Sequence, residues 1–74
     1  MEKAILTPKN LGQLVKEIRM AQGLNQDDVA GLTGTGRRFI SELENGKVTL
    51  QLGKTLHVLG ALGIAISATT KWKK

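Results

Sequence analysis

The chain contains no cysteine, which removes disulfides, thiol catalysis and cysteine-built zinc sites together. It has no tyrosine, one phenylalanine and one tryptophan, so a core has to come from leucine, isoleucine, valine and alanine. Its one histidine, His57, has no companion, and a lone histidine is far more often an edge residue than a ligand; no metal and no cofactor are expected. No apolar run reaches membrane-spanning length and no secretory pattern opens the chain, so a bacterial-type cytoplasmic, nucleoid-associated protein with no membrane partner is expected. A glycine-rich phosphate loop after a strand is missing, as is a carboxylate pair with a base beside it, and no enzyme is expected. Acidic residues are the scarce charge, 6 Asp and Glu against 11 Lys and Arg, for a net charge of +5. On a chain of 74 residues, one domain at most, that excess points to a polyanionic partner, nucleic acid first. The length is also close to the lower limit for a self-sufficient core.

What is present is punctuated. Residues 1–6 read as a flexible arm. Thr7 and Pro8 read as the N-cap and first residue of a helix, with Leu6 and Leu11 placed for a hydrophobic staple. Leu11, Leu14, Val15 and Ile18 give that helix one apolar face, and Gly23 stops it. Asn25 caps a second, short helix with Asp27 and Asp28 in its first turn; Val29, Ala30 and Leu32 are its inward candidates and Gly34 breaks it. Thr35 is the expected cap of a third helix running to about Asn45, with Ile40 and Leu43 inward and Gly46 as its stop. A fourth helix is expected from near Thr49 to Gly63. Leu52, Leu56 and Leu59 form one stripe on it, with Thr55, Val58 and Leu62 beside them, too wide for burial on one side only. After Gly63 the run Ile64-Ala65-Ile66-Ser67-Ala68-Thr69 alternates and is β-branched, which reads as a strand. It has no partner strand in its own chain, so the same strand of a second copy is the economical solution. Residues 70–74 make a basic tail carrying Trp72.

Residues 24–46 read Leu-Asn-Gln-Asp-Asp-Val-Ala-Gly-Leu-Thr-Gly-Thr-Gly-Arg-Arg-Phe-Ile-Ser-Glu-Leu-Glu-Asn-Gly. Ala30 is small where two helices cross, Gly34 sits in a tight turn that asks for positive φ, and Ile40 and Leu43 lie one turn apart to lock the third helix onto the second. Jointly these resemble the helix-turn-helix of the phage-repressor-like XRE/Cro family. The run from Thr33 to Lys47, with Gln51-Leu52-Gly53-Lys54 and Leu59-Gly60-Ala61-Leu62-Gly63-Ile64, is similar to the HipB-type antitoxins, small repressors encoded beside a HipA-like Ser/Thr kinase toxin. The resemblance implies an all-α fold: a four-to-five-helix, lambda-repressor-like helix-turn-helix domain over residues 7–69, with a short C-terminal β-strand pairing across a homodimer. It also implies a partly buried structural ion pair between Arg19 and Glu44.

The function this implies is sequence-specific repression of transcription on double-stranded operator DNA, with a HipA-like kinase toxin as a further partner. A phage-type or stand-alone repressor, or a toxin-neutralising module with DNA binding secondary, remains open. In the family the third helix enters the major groove. Arg37 and Arg38 stand in its first turn, where cations oppose the macrodipole unless a polyanion is near, and arginine is the usual bidentate reader of guanine. Ser41 and Glu42 follow one turn on; Glu42 either accepts from cytosine or orients Arg38 at i, i+4. Gln26, Asn45 and Lys47 match the family's phosphate-contact positions. The dimer interface is expected from Val58, Leu62, Ile64, Ile66 and Ala68.

Overall fold

Four helices follow one another in the computed structural model, which describes Ile5 and residues 7–72: α1 (Pro8–Ala21), α2 (Gln26–Thr33), α3 (Arg37–Glu44) and α4 (Leu52–Ala61). The arm expected at residues 1–6 lies, Ile5 apart, outside the described residues, as do Leu6 of the staple and Lys73 and Lys74 of the tail.

The helix ends are set by local chemistry. Thr7 is extended and its hydroxyl accepts the Asn10 N–H at 3.0 Å, with Pro8 following where no N–H is needed. Asn25 and Asp28 form a capping box, each side chain accepting the other's backbone N–H at 2.8 Å. α1, α3 and α4 end in the same device. Gly23, Gly46 and Gly63 take φ of 74°, 81° and 78° and donate to the carbonyls of Met20, Leu43 and Gly60. The next residues, Leu24, Lys47 and Ile64, donate to Arg19, Glu42 and Leu59, completing three Schellman motifs. α3 begins differently from the expectation. Its N-cap is Gly36 rather than Thr35, with no side-chain cap bond, because the Thr35 hydroxyl is paired with that of Thr33 at 2.9 Å. α4 starts at Leu52 rather than near Thr49.

Val15, Val29, Ala30, Ile40, Leu43, Val58, Leu59 and Leu62 make the core, with Leu11, Ile18, Leu24, Phe39, Leu50 and Ile64 packed against it. Leu32 is exposed instead of inward, since α2 turns Val29, Ala30 and Thr33 to the core. On α4 the inward stripe is Thr55, Val58, Leu59 and Leu62, and Leu52 and Leu56 are left exposed. Val58 and Leu62, expected at a dimer interface, are buried in the chain's own core. Ile64 is half-buried against the same core, and Ile66 and Ala68 are exposed. The strand expected at residues 64–69 does not form among the described residues; residues 64–72 lie outside helix and ladder.

At their seam α1 and α3 cross with their backbones in close approach. A Cβ on Gly12 would stand 2.3 Å from the Leu43 carbonyl oxygen and 2.7 Å from that of Glu44. Only glycine lets the two backbones approach this closely. Gly46 closes the same seam from the other side, where a Cβ would lie 2.8 Å from Lys9 Cα. Among the described residues no helix is long and apolar enough to cross a membrane.

Candidate nucleic-acid interface

α3 is amphipathic: Ile40 and Leu43 hold it to the core, and the opposite face carries charge. Its first two residues are Arg37 and Arg38, with side chains 67 % and 87 % exposed. Neither a side-chain cap nor an acidic residue offsets them in the first turn. Two cations at the positive end of a helix are unfavourable for the isolated domain.

Carboxylates stand beside both arginines. Asp27 of α2 places Oδ1 3.6 Å from Arg37 Nε, and Glu42 places Oε2 3.4 Å from Arg38 Nε, one turn along α3. The same Glu42 oxygen accepts from Lys47 Nζ at 3.1 Å. This hydrogen bond to Lys47 is the main reason the Glu42 carboxyl is held below its ordinary range, with the charges of Lys47 and Arg38 adding to it against a desolvation cost. Glu42 is thus committed to two cations of its own chain. Ser41 is half-buried, and its hydroxyl and carbonyl oxygens accept from Asn45 Nδ2 at 3.4 and 2.9 Å.

Beneath this face lies an ion pair of another kind. Arg19 Nε and Nη2 donate to the two oxygens of Glu44 at 2.6 and 3.0 Å, and Nη1 donates to the Leu24 carbonyl at 2.8 Å. The side chains are only 10 % and 4 % exposed. The bond to Glu44 raises the Arg19 pKa above its ordinary value despite burial. Gln26 joins this cluster, its amide donating to Glu44 Oε1 at 3.1 Å. Its side chain is therefore turned into the domain, and what it offers outward is the backbone N–H that opens α2.

Sequence reasoning missed four of these contacts: Asp27 with Arg37, Gln26 with Glu44, the Gln22 amide donating to the Leu62 carbonyl at 2.8 Å, and His57 Nε2 against the Thr33 carbonyl at 3.1 Å. It also missed Gly12, although a glycine inside an otherwise helical stretch is a signal for close packing. Phe39 packs on the core, with Lys54 Nζ 5.9 Å from its ring centroid.

The family described as "Helix-turn-helix domain" matches residues 12–68. An uncharacterized HTH-type transcriptional regulator of Sinorhizobium fredii (strain NBRC 101917 / NGR234), y4mF, is 52 % identical over 66 residues, 89 % of this chain and 87 % of that one. The chain belongs to the helix-turn-helix family of transcriptional regulators. Among solved structures, this helix-turn-helix regulator is similar to a chain of the HipA-HipB-O2-O3 complex, with a TM-score of 0.85 and 22 % identity over 96 % of this chain and 100 % of that one. That identity speaks for the fold alone. The regulator is also similar to the restriction-modification controller protein C.AhdI from Aeromonas hydrophila, 33 % identical with a TM-score of 0.69, covering 78 % of this chain and 84 % of that one. In helix-turn-helix terms, α2 and α3 are the two helices of the motif and the exposed arginines open the second.

Proposed function

We propose that this protein is a cytoplasmic operator-binding repressor that works as a homodimer, with α3 in the major groove and Arg37 and Arg38 at base edges. The observation that carries the reading is the pair of exposed arginines at an uncapped helix start. Stability gives no reason for them, and a nucleic-acid polyanion does. Ser41 follows on the same helix, within reach of a base or phosphate. Lys47, Asn45 and the N–H groups at the start of α2, beginning with Gln26, hold the phosphate backbone. The second copy docks on what the monomer leaves uncovered, namely Leu52 and Leu56 of α4 together with Ile66 and Ala68, and Ile64 leads into the paired segment. On this reading residues 7–69 are the working domain, 1–6 an arm and 70–74 a basic tail.

The physiological setting we propose is an antitoxin beside a HipA-like kinase toxin, supported by the likeness in fold to a chain solved in complex with HipA. The resemblance to C.AhdI favours a second reading, a stand-alone controller with no toxin partner.

The test is a titration by fluorescence anisotropy against a duplex enriched from a random library by the wild-type protein. Affinity should fall steeply with salt, and the enriched duplex should carry half-sites about 34 Å apart, one helical turn. Binding that ignores both salt and the Arg37→Ala/Arg38→Ala double substitution would sink the reading. Sedimentation of a stable monomer at low micromolar concentration, or dimers untouched by Ile66→Pro, would remove the strand-paired dimer. Co-expression with the product of the adjoining gene separates antitoxin from controller, since only an antitoxin should copurify with a kinase-like protein.

A further inference from the structure

The two recognition-helix arginines share a detail that the DNA-binding reading does not require. Each is approached by a carboxylate at the same atom, Nε, and from different directions: Asp27 reaches Arg37 across the turn between α2 and α3, and Glu42 reaches Arg38 along α3 itself. No hydrogen bond among the described residues uses a terminal Nη atom of either arginine. A guanidinium presents its donors as a planar fork, and the terminal Nη pair is one pairing that matches guanine O6 and N7.

Beyond its charge in the first turn of α2, which the helix dipole favours, Asp27 has no evident structural duty. The cap of α2 is already complete in the Asn25–Asp28 box. The Asp27 and Arg37 side chains are 72 % and 67 % exposed, and ion pairs so exposed contribute little to stability. A carboxylate on a face meant for DNA also repels phosphate, so it costs general affinity. What it provides in return is orientation. With Asp27 Oδ1 3.6 Å from Nε, the electrostatic pull acts on the inner side of the guanidinium and leaves the Nη pair to other partners, with fewer ways to collapse onto the nearest phosphate.

We propose that Asp27 is a specificity-determining positioning residue, holding Arg37 by Nε across the α2–α3 turn so that its terminal Nη pair is presented to a guanine edge. The proposal rests on the reading that α3 lies in the major groove. Asp27 exchanges non-specific attraction for base discrimination, and Glu42 does for Arg38 along the helix what Asp27 does for Arg37 between helices.

The experiment compares wild type, Asp27→Ala and Asp27→Asn for affinity toward the enriched duplex, the same duplex with each guanine replaced in turn by 7-deazaguanine, and an unrelated duplex, all at one salt concentration. Both variants should stay folded and melt within a few degrees of the wild type, the effect of one lost first-turn anion. They should bind unrelated DNA as tightly or more tightly, and their preference for the enriched duplex should fall about fivefold or more, the scale of one bidentate base contact. The wild type should lose affinity at one 7-deazaguanine position where the variants do not. In an Arg37→Ala background the Asp27 substitution should no longer change the preference. If the wild type discriminates and the Asp27 variants discriminate equally well, or if the Asp27 effect persists without Arg37, the positioning role is overturned while the DNA-binding reading stands. If the wild type itself shows no preference between the enriched and unrelated duplexes, both fall together.

Discussion

Arg19 and Arg37 each face a carboxylate, yet the two pairs are opposite in kind. Arg19 gives two donors to Glu44 and one to Leu24 in a place where almost no water reaches. Arg37 lies 3.6 Å from Asp27 with both side chains mostly in solvent. In the first case burial makes the pair conditional on both partners, because either one alone is a poorly solvated charge. In the second, water and salt substitute readily for the lost partner, and geometry rather than energy is what the pair supplies. The same two side-chain chemistries therefore build the scaffold at one depth and, in the proposed complex, tune the reading face at another.

The comparison breaks most visibly at Glu44. Glu44→Ala leaves Arg19 without its anion and Gln26 without its acceptor, and should cost about 3–5 kcal/mol in urea unfolding. For a domain of this size that is much of the total stability, and a loss under about 1 kcal/mol would show the pair to be dispensable. Next is Gly12→Ala, which drives a methyl group into the Leu43 and Glu44 carbonyls and should cost about 1–3 kcal/mol. Gly31→Ala in exposed α2, where a Cβ meets nothing within 4 Å, should instead gain about 0.5–1 kcal/mol. Equal effects at the two glycines would contradict the close crossing.

The reading face should show the reverse pattern. Arg37→Ala or Arg38→Ala should leave the unfolding midpoint nearly unchanged and weaken operator binding by about 1–3 kcal/mol, with relaxed base preference, whereas Lys47→Ala should weaken all duplexes alike. A melting-temperature drop that tracks the binding loss would show these arginines to be structural. The smallest effect is one of pH. Pairing with Lys47 and Arg38 lowers the Glu42 pKa in the folded chain, so its contribution is present above the unfolded carboxyl pKa and disappears as pH falls through the folded value. Between about pH 5 and pH 3 the wild type should therefore lose slightly more thermal stability than Glu42→Gln. Parallel melting curves for the two proteins would remove that contribution.

The parts of the fold legible in the sequence are those fixed by neighbours in the chain. Thr7-Pro8, the cap at Asn25, and the stops at Gly23, Gly46 and Gly63 act over a few residues and can be read from a few residues. What escaped depends on partners far along the chain. Which leucines of α4 face inward was ambiguous because both stripes are apolar, and only packing against the core built by α1, α2 and α3 turns Val58 and Leu62 in and Leu52 and Leu56 out. Thr35 has the right chemistry for a cap, but its hydroxyl is engaged by Thr33. Arg19 and Glu44 lie 25 positions apart, a separation with no periodic signal, and their pairing came from family resemblance rather than pattern. For the interface, the arginines stood out as cations misplaced on a helix dipole, while Asp27 looked like an ordinary first-turn acid and its reach to Arg37 needed the turn to be folded.

Gly12 has a bearing on any genetic survey of this protein. It touches no DNA in the proposed complex and carries no side chain, yet any amino-acid substitution there drives a Cβ into the backbone of α3. A saturation library scored by repression alone would rank position 12 beside Arg37 and Arg38 and invite its reading as a contact. Scoring soluble abundance alongside repression separates the two classes: seam variants vanish from the cell through the unfolded pool, while arginine variants accumulate normally and fail only at the promoter.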